Sequence, residues 1–318
     1  MLDILLVTLG FIGLVLGGNA LVTGAVGVAR HFGISPIVIG LTLVGFGTSM
    51  PELVTSVQAA YSGSVGIAVG NVVGSNIANI LLILGVSALL APIAVDARAF
   101  KRDGTMLAIA TVLTLALVIG GFIGRGAGGL LVAALVAYVA YTLRAELRSR
   151  TPAGDLYDDE AATIPETASN LANIIRLIAG LAVTIISARL LVTGAISLST
   201  TLGISDTVIG LTVVAIGTSL PELITSVIAA KRGQSDVAFG NIIGSNIFNL
   251  LGILGTTAIL TPIAVPAEIL RMDIWVMVAA TVLMLVFART GWHLSRKEGI
   301  IFLALYAAYT TTLVVLNS

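Results

Sequence analysis

Glu52 and Glu222 are the two acids set deep inside long apolar stretches of this 318-residue chain, and each follows a proline, Pro51 and Pro221. A charge at the centre of a bilayer costs about 2.5–3.5 kcal/mol on insertion scales, so such a carboxylate needs a partner, a proton or a watery cavity. No Lys or Arg sits at comparable depth in those stretches, so the compensating charge is expected to be a mobile cation. Each proline withholds a helical N–H and frees the carbonyl four residues earlier, at Gly47 and Gly217. Thr48 and Ser49 stand four and three residues before Glu52, and Thr218 and Ser219 likewise before Glu222; on a helix that spacing puts them on the glutamate's face. Ser75 with Asn79, and Ser245 with Asn249, are again four apart. Everything convergent is oxygen: the chain has no Cys, and its two histidines, His31 and His293, lie near the ends of apolar stretches. Such a set suits Ca²⁺ or Na⁺, whereas Zn²⁺ and Cu normally take imidazole or thiolate. Two carboxylates balance one Ca²⁺, and several Na⁺ ions could use the same oxygens. The two cargos would then compete for one site, as an exchanger requires.

The elements that must position these residues are membrane helices. The chain is 57% hydrophobic and only 10% charged, against roughly 25% charged in an ordinary soluble domain. Apolar runs near the ~20 residues that cross a bilayer as helix give ten expected spans: 2–28, 35–61, 66–91, 104–123, 127–146, 170–198, 205–230, 236–261, 273–290 and 298–316. The fold expected is an all-α polytopic membrane protein. No basic region precedes the first stretch, so an uncleaved first span is expected rather than a signal peptide. Of the sixteen Lys and Arg, twelve fall in odd-numbered loops or at the span ends that border them, two in even-numbered ones, Arg125 and Arg271, and two, Arg176 and Arg189, within the sixth span. By the positive-inside rule the odd loops face the cytoplasm and both termini face outward. The neutral net charge argues against a nucleic-acid partner.

The chain also repeats itself. At a shift of 170, Gly33–Val95 aligns with Gly203–Val265 without a gap, and 39 of the 63 positions are identical. GTSMPELVTSV at 47–57 matches GTSLPELITSV at 217–227, and GNVVGSNIANILLILG at 70–85 matches GNIIGSNIFNLLGILG at 240–255. The organisation expected is a first five-helix repeat over 1–148, an acidic cytoplasmic linker over 149–169, and a second repeat over 170–318. Five is an odd number, so the second repeat enters the membrane from the opposite side and the repeats are inverted. Inverted repeats are an architecture in which secondary transporters place a substrate site near the midplane, where interrupted helices meet.

Several polar residues have a plainer expected role. Asn71, Asn76, Asn241 and Asn246 suit helix-to-helix hydrogen bonding, and Thr55, Ser56, Thr225 and Ser226 suit bonding to their own backbone. The linker's Asp155, Asp158, Asp159 and Glu160 lack the alternating ligands of an EF-hand and read as a solvated run.

GTSMPE with GNVVGSNIAN, and GTSLPE with GNIIGSNIFN, resemble the two alpha repeats of the cation/calcium exchanger superfamily, specifically of the prokaryotic sodium/calcium exchangers. The ten-span layout extends the resemblance over essentially the whole chain. It implies a central Ca²⁺ site of Glu52 and Glu222 with the carbonyls of Thr48 and Thr218. It implies a Na⁺ site toward the cytoplasm from Ser49, Ser75 and the Gly45 carbonyl, and one toward the outside from Ser219, Ser245 and the Ala215 carbonyl. It further implies that spans one and six slide across the other eight to alternate access. Some family members, potassium-dependent exchangers among them, carry Asp at the position of Asn249; here Asn79 and Asn249 are both amides, which argues against potassium dependence. The linker is also too short for the regulatory domain of animal exchangers.

The function expected is Na⁺/Ca²⁺ antiport in a prokaryotic cytoplasmic membrane, with Ca²⁺ and Na⁺ as transported ions. No cofactor and no obligate protein partner are expected, and a monomer suffices. H⁺/Ca²⁺ antiport is the alternative, because two desolvated glutamates can hold protons and release them as Ca²⁺ binds. A passive cation channel would use the same oxygens but would not need matched halves. An enzyme is disfavoured by the lack of a membrane-depth His, an HExxH pattern or an intramembrane Asp pair.

Overall fold

In lipid each backbone N–H and C=O must be satisfied within the protein, which leaves helices as the form these apolar runs can take. The computed structural model describes residues 2–63, 65–148, 169–201 and 215–317, and they are overwhelmingly helical. The first half contains α1 (Leu2–Phe32), α2 (Pro36–Thr48), α3 (Met50–Tyr61), α4 (Val65–Leu90), α5 (Ala97–Ile119) and α6 (Arg125–Arg148). The second contains α7 (Asn170–Thr201), α8 (Ala215–Thr218), α9 (Leu220–Lys231), α10 (Ser235–Leu260), α11 (Ile269–Arg289) and α12 (Arg296–Asn317). Seven of these helices are long and apolar enough to cross a membrane, and α2 with α3, bent by 41° at their junction, makes an eighth. The chain is an integral membrane protein. Of the remaining two expected spans, 205–230 lies partly outside the described residues and continues as α8 and α9, while 298–316 corresponds to α12. The linker acids and residues 149–168 also lie outside them.

Helix ends follow local chemistry that a search for apolar runs misses. The fourth span, expected from Gly104, begins at Ala97 because Asp96 accepts the N–H groups of Arg98 and Ala99 at 3.1 and 2.7 Å. At α12, Ser295 and Glu298 bond reciprocally as a capping box. The longer α5 draws Asp103 into its second turn, where it is fully buried. Glu52 and Glu222 are therefore not the only deeply buried acids. Asp103 is neutralised locally, by Arg102 at 2.6 Å and by the Tyr138 hydroxyl at 2.7 Å. Asp273, its counterpart in the second half, accepts the Tyr309 hydroxyl at 3.0 Å, so the repeat extends past the aligned block.

The most buried helices are α4 and α10, with 78% and 94% of their apolar windows inside the protein. Glycines bring α10 against α2: a Cβ at Gly244 would collide with the Leu41 backbone, and one at Gly240 would approach the Ile37 carbonyl to 2.6 Å. On the outside of the bundle α1 and α7 lie against each other, and a Cβ at Gly24 or Gly180 would run into the backbone at Leu177 or Leu21. Two short antiparallel ladders tie the loops. β1 (Ile93–Ala94) pairs with β4 (His293–Leu294), and β2 (Phe122–Ile123) pairs with β3 (Ile263–Ala264).

Candidate functional site

Ser49 and Ser219 are the hinge points of the site. Each takes ψ near zero (7° and 8°) between two helical pieces, and each is followed by Pro51 or Pro221 in the first turn of the next helix. The glutamates thus sit at the starts of α3 and α9, in the heart of the protein, each 1% exposed. Their partners come from the opposite half. Ser49 Oγ donates to Glu222 Oε1 at 2.8 Å, and Ser219 Oγ donates to Glu52 Oε1 at 3.3 Å. Helical spacing predicts each serine beside the glutamate of its own half. The non-helical residue interrupts that periodicity, and each hydroxyl bonds across the molecule instead.

A matched strut holds each glutamate's main chain. Asn71 Nδ2 reaches the Glu52 carbonyl at 3.2 Å and Ser56 Oγ at 2.9 Å; Asn241 Nδ2 reaches the Glu222 carbonyl at 3.3 Å and Ser226 Oγ at 2.8 Å. Helix-to-helix hydrogen bonding is the role the sequence suggests for these asparagines, and bonding to their own backbone the role it suggests for these serines. The two readings merge: amide and hydroxyl form one bridge from α4 to α3 and from α10 to α9. A signal was available, since Asn and Ser recur at the same positions in both halves. Thr48 Oγ1 lies 3.3 Å from both the Gly45 carbonyl and Asn241 Oδ1, and Ser245 Oγ donates to the same Gly45 carbonyl at 3.1 Å. The Gly45 carbonyl, expected to serve Na⁺ together with Ser49 and Ser75, is thus also met by Ser245 of the other half. Ala215 opens α8 at the edge of the described residues, and Thr218 closes it, half-buried.

Asn79 and Asn249 both sit where their helices widen into a π turn, Ala78–Leu84 and Phe248–Ile253, a distortion frequent at functional sites. Asn79 Nδ2 donates to Asn246 Oδ1 at 3.3 Å. Among the described residues, Glu52 Oε2, Glu222 Oε2, Asn79 Oδ1 and both amide atoms of Asn249 are buried without a hydrogen-bond partner. Neither glutamate has an ion-pair partner among the described residues. Orphaned buried oxygens of this kind are costly, and here they gather around two carboxylates. Among the described residues no cluster of three or more His, Cys, Asp or Glu exists.

The model of the family described as "Sodium/calcium exchanger protein" matches residues 2–144 and 172–315. The chain belongs to this family. It is a family of exchangers rather than enzymes, and its model passes over the linker region between the two matched stretches. Among exchanger relatives, "Sodium/calcium exchanger MaX1" of Methanosarcina acetivorans is 36% identical over 98% of both chains. "Putative antiporter CaxA" of Alkalimonas amylolytica is 40% identical over 95% of this chain and 96% of its own. A solved structure of the sodium-calcium exchanger NCX_Mj, soaked with Na⁺ and Ca²⁺, superposes with a TM-score of 0.85 at 34% identity, covering 98% of this chain and 99% of that one.

Proposed function

We propose that the protein is a secondary antiporter that exchanges Na⁺ for Ca²⁺ by alternating access, the ions competing for a midplane site on Glu52 and Glu222. The observation that carries this reading is the pair of fully buried glutamates, each with one oxygen braced by a serine of the opposite half and the other without a partner among the described residues. Two negative charges in low dielectric demand compensation, and a divalent cation supplies it in one step. The carbonyls of Thr48 and Thr218 complete the Ca²⁺ shell. Ser49 and Ser75 with the Gly45 carbonyl, and Ser219 and Ser245 with the Ala215 carbonyl, serve Na⁺, with Asn79 and Asn249 as amide-oxygen donors beside the glutamates. Ser245 of the second half donates to the Gly45 carbonyl, one of these Na⁺ ligands.

The halves act as inverted five-span repeats, 1–148 and 170–318, joined by the linker over 149–169. The loop ladders favour this. The repeat relates β1 to β3 and β2 to β4, yet β1 pairs with β4 and β2 with β3. The first ladder joins the third and ninth loops, and the second lies at the fourth and eighth, so odd pairs with odd and even with even. With the odd loops cytoplasmic, both termini are outside, and the membrane is the prokaryotic cytoplasmic membrane.

H⁺/Ca²⁺ antiport is a second reading of the same site, favoured by the unpartnered carboxylate oxygens, which are able to carry protons. Uptake of radioactive Ca²⁺ into proteoliposomes loaded with Na⁺, compared with K⁺-loaded and pH-gradient controls, separates the two. Dependence on an outward Na⁺ gradient is expected. Uptake driven only by a proton gradient would transfer the coupling to H⁺. Saturable counterflow of labelled against unlabelled Ca²⁺ distinguishes either antiporter from a channel.

A further inference from the structure

A groove of about 320 Å³ lies between α5 and α11, and no residue of the glutamate site lines it. Gly104, Ala108, Val282 and Leu285 form its apolar walls, and Lys101 and Arg289 stand at its mouth. Gly104 keeps the floor thin, since a Cβ there would come within 3.1 Å of Leu285 Cδ2. The β1–β4 ladder, extended by Val95 N–H donating to the Trp292 carbonyl at 2.9 Å, holds the start of α5 beside the end of α11, and Phe100 packs edge-on against Trp292 at 5.7 Å. This folding unites two cations from opposite halves of the chain. Both are exposed, and neither has a carboxylate partner among the described residues.

We propose that this groove binds an anionic phospholipid, its phosphate headgroup held by Lys101 and Arg289 and one acyl chain lying along the apolar walls. The volume lies at the lower end of the roughly 300–1,000 Å³ typical of small-molecule sites. Paired cations above a lipid-facing groove complement an anionic headgroup in charge and the hydrocarbon beneath it in polarity. The site occurs once. The repeat maps Lys101 onto Arg271 but maps Arg289 onto Ile119, so the corresponding position on the opposite side has one cation rather than two. Lys101 lies in the second turn of α5 and Arg289 ends α11, both at the side of the odd loops, which assigns the lipid to the leaflet those loops face.

Native mass spectrometry of the detergent-purified full chain, titrated with phosphatidylglycerol or phosphatidylcholine, tests the site. Phosphatidylglycerol should be retained in preference to phosphatidylcholine. Lys101→Ala and Arg289→Ala should each weaken its binding about five-fold, and the double variant about twenty-five-fold, as follows from roughly 1 kcal/mol per surface cation. Arg271→Ala should leave binding unchanged, and Ala108→Trp, which fills the groove without altering charge, should weaken it. No preference of the wild-type protein for the anionic lipid would overturn the proposal. So would undiminished binding by the double variant, an equal loss with Arg271→Ala, or displacement of the lipid by a polyglutamate peptide, which would make an acidic protein segment the occupant.

Discussion

The two halves of the site are built from the same residues and make some of the same bonds but not all. The struts agree closely: Asn71 and Asn241 meet their serines at 2.9 and 2.8 Å and their glutamate carbonyls at 3.2 and 3.3 Å. The amides one helix turn or two deeper do not agree. Asn79 bonds to Asn246 across the halves, whereas Asn249 has no partner among the described residues and Asn76 bonds to Val72 of its own helix. Identical side chains with different partners cannot owe the difference to their own chemistry. It comes from how the elements meet. Bonds that hold a glutamate to its own half are kept in both, and so are the crossing serine–glutamate bonds, while the crossing amide bond is made from one half only.

The most severe way to break this comparison is to remove a carboxylate charge. Glu52→Gln and Glu222→Gln should each lower Na⁺-driven Ca²⁺ uptake to about a hundredth or less, because a hard dication depends on anionic ligands. If one variant retains full uptake, the halves do not share the site. Next in size is the outer pair of aspartates, where the halves have diverged: Asp103 has Arg102, but the residue before Asp273 is Met272. Arg102→Met should destabilise the protein by about 3 kcal/mol, since it strips one partner from a buried ion pair; thermal unfolding in detergent measures this, and an unchanged midpoint would show that Tyr138 alone suffices.

The struts come third. Asn71→Ala and Asn241→Ala should each cost about 2 kcal/mol, the loss of buried hydrogen bonds with their acceptors left unpaired, and the two should be equal in chemical denaturation. Unequal costs would mean that the shared geometry conceals different strengths. The smallest effect sharpens the comparison most. Without Ca²⁺, Asn79→Ala should cost about 1 kcal/mol and Asn249→Ala close to nothing, while both should weaken Ca²⁺ binding measured by isothermal calorimetry. Equal stability costs in the cation-free protein would remove the asymmetry.

Much of the fold was legible because its causes are local. Apolar length marks the helices, proline marks the breaks, and the repeat is visible by sliding the chain along itself. Helix starts were less so: Asp96 extends α5 by two turns through a capping bond that a hydropathy reading does not register. Asp103 and Asp273 were missed for a related reason, since they lie in charged loop-like sequence beyond the aligned block and yet inside helices. Within the site, residue types and their pairing could be read directly, but the destinations of Ser49, Ser219 and Ser245 could not. Helical periodicity predicts neighbours only while the helix continues, and at Ser49 and Ser219 it stops.

The sequence by itself thus determined a duplicated, helical membrane protein with two proline-flanked glutamates and a surrounding set of hydroxyls and amides, because the helices and the motifs depend on residues within a few turns of one another and the duplication shows as a match of the chain with itself. Only the tertiary structure decided that each serine braces the other half's glutamate, that Asn79 and not Asn249 makes the crossing bond, and that Lys101 and Arg289 line one groove. Those contacts join segments from opposite halves of the chain, and their geometry is set by the packing of whole helices against one another, for which no local pattern carries a signal.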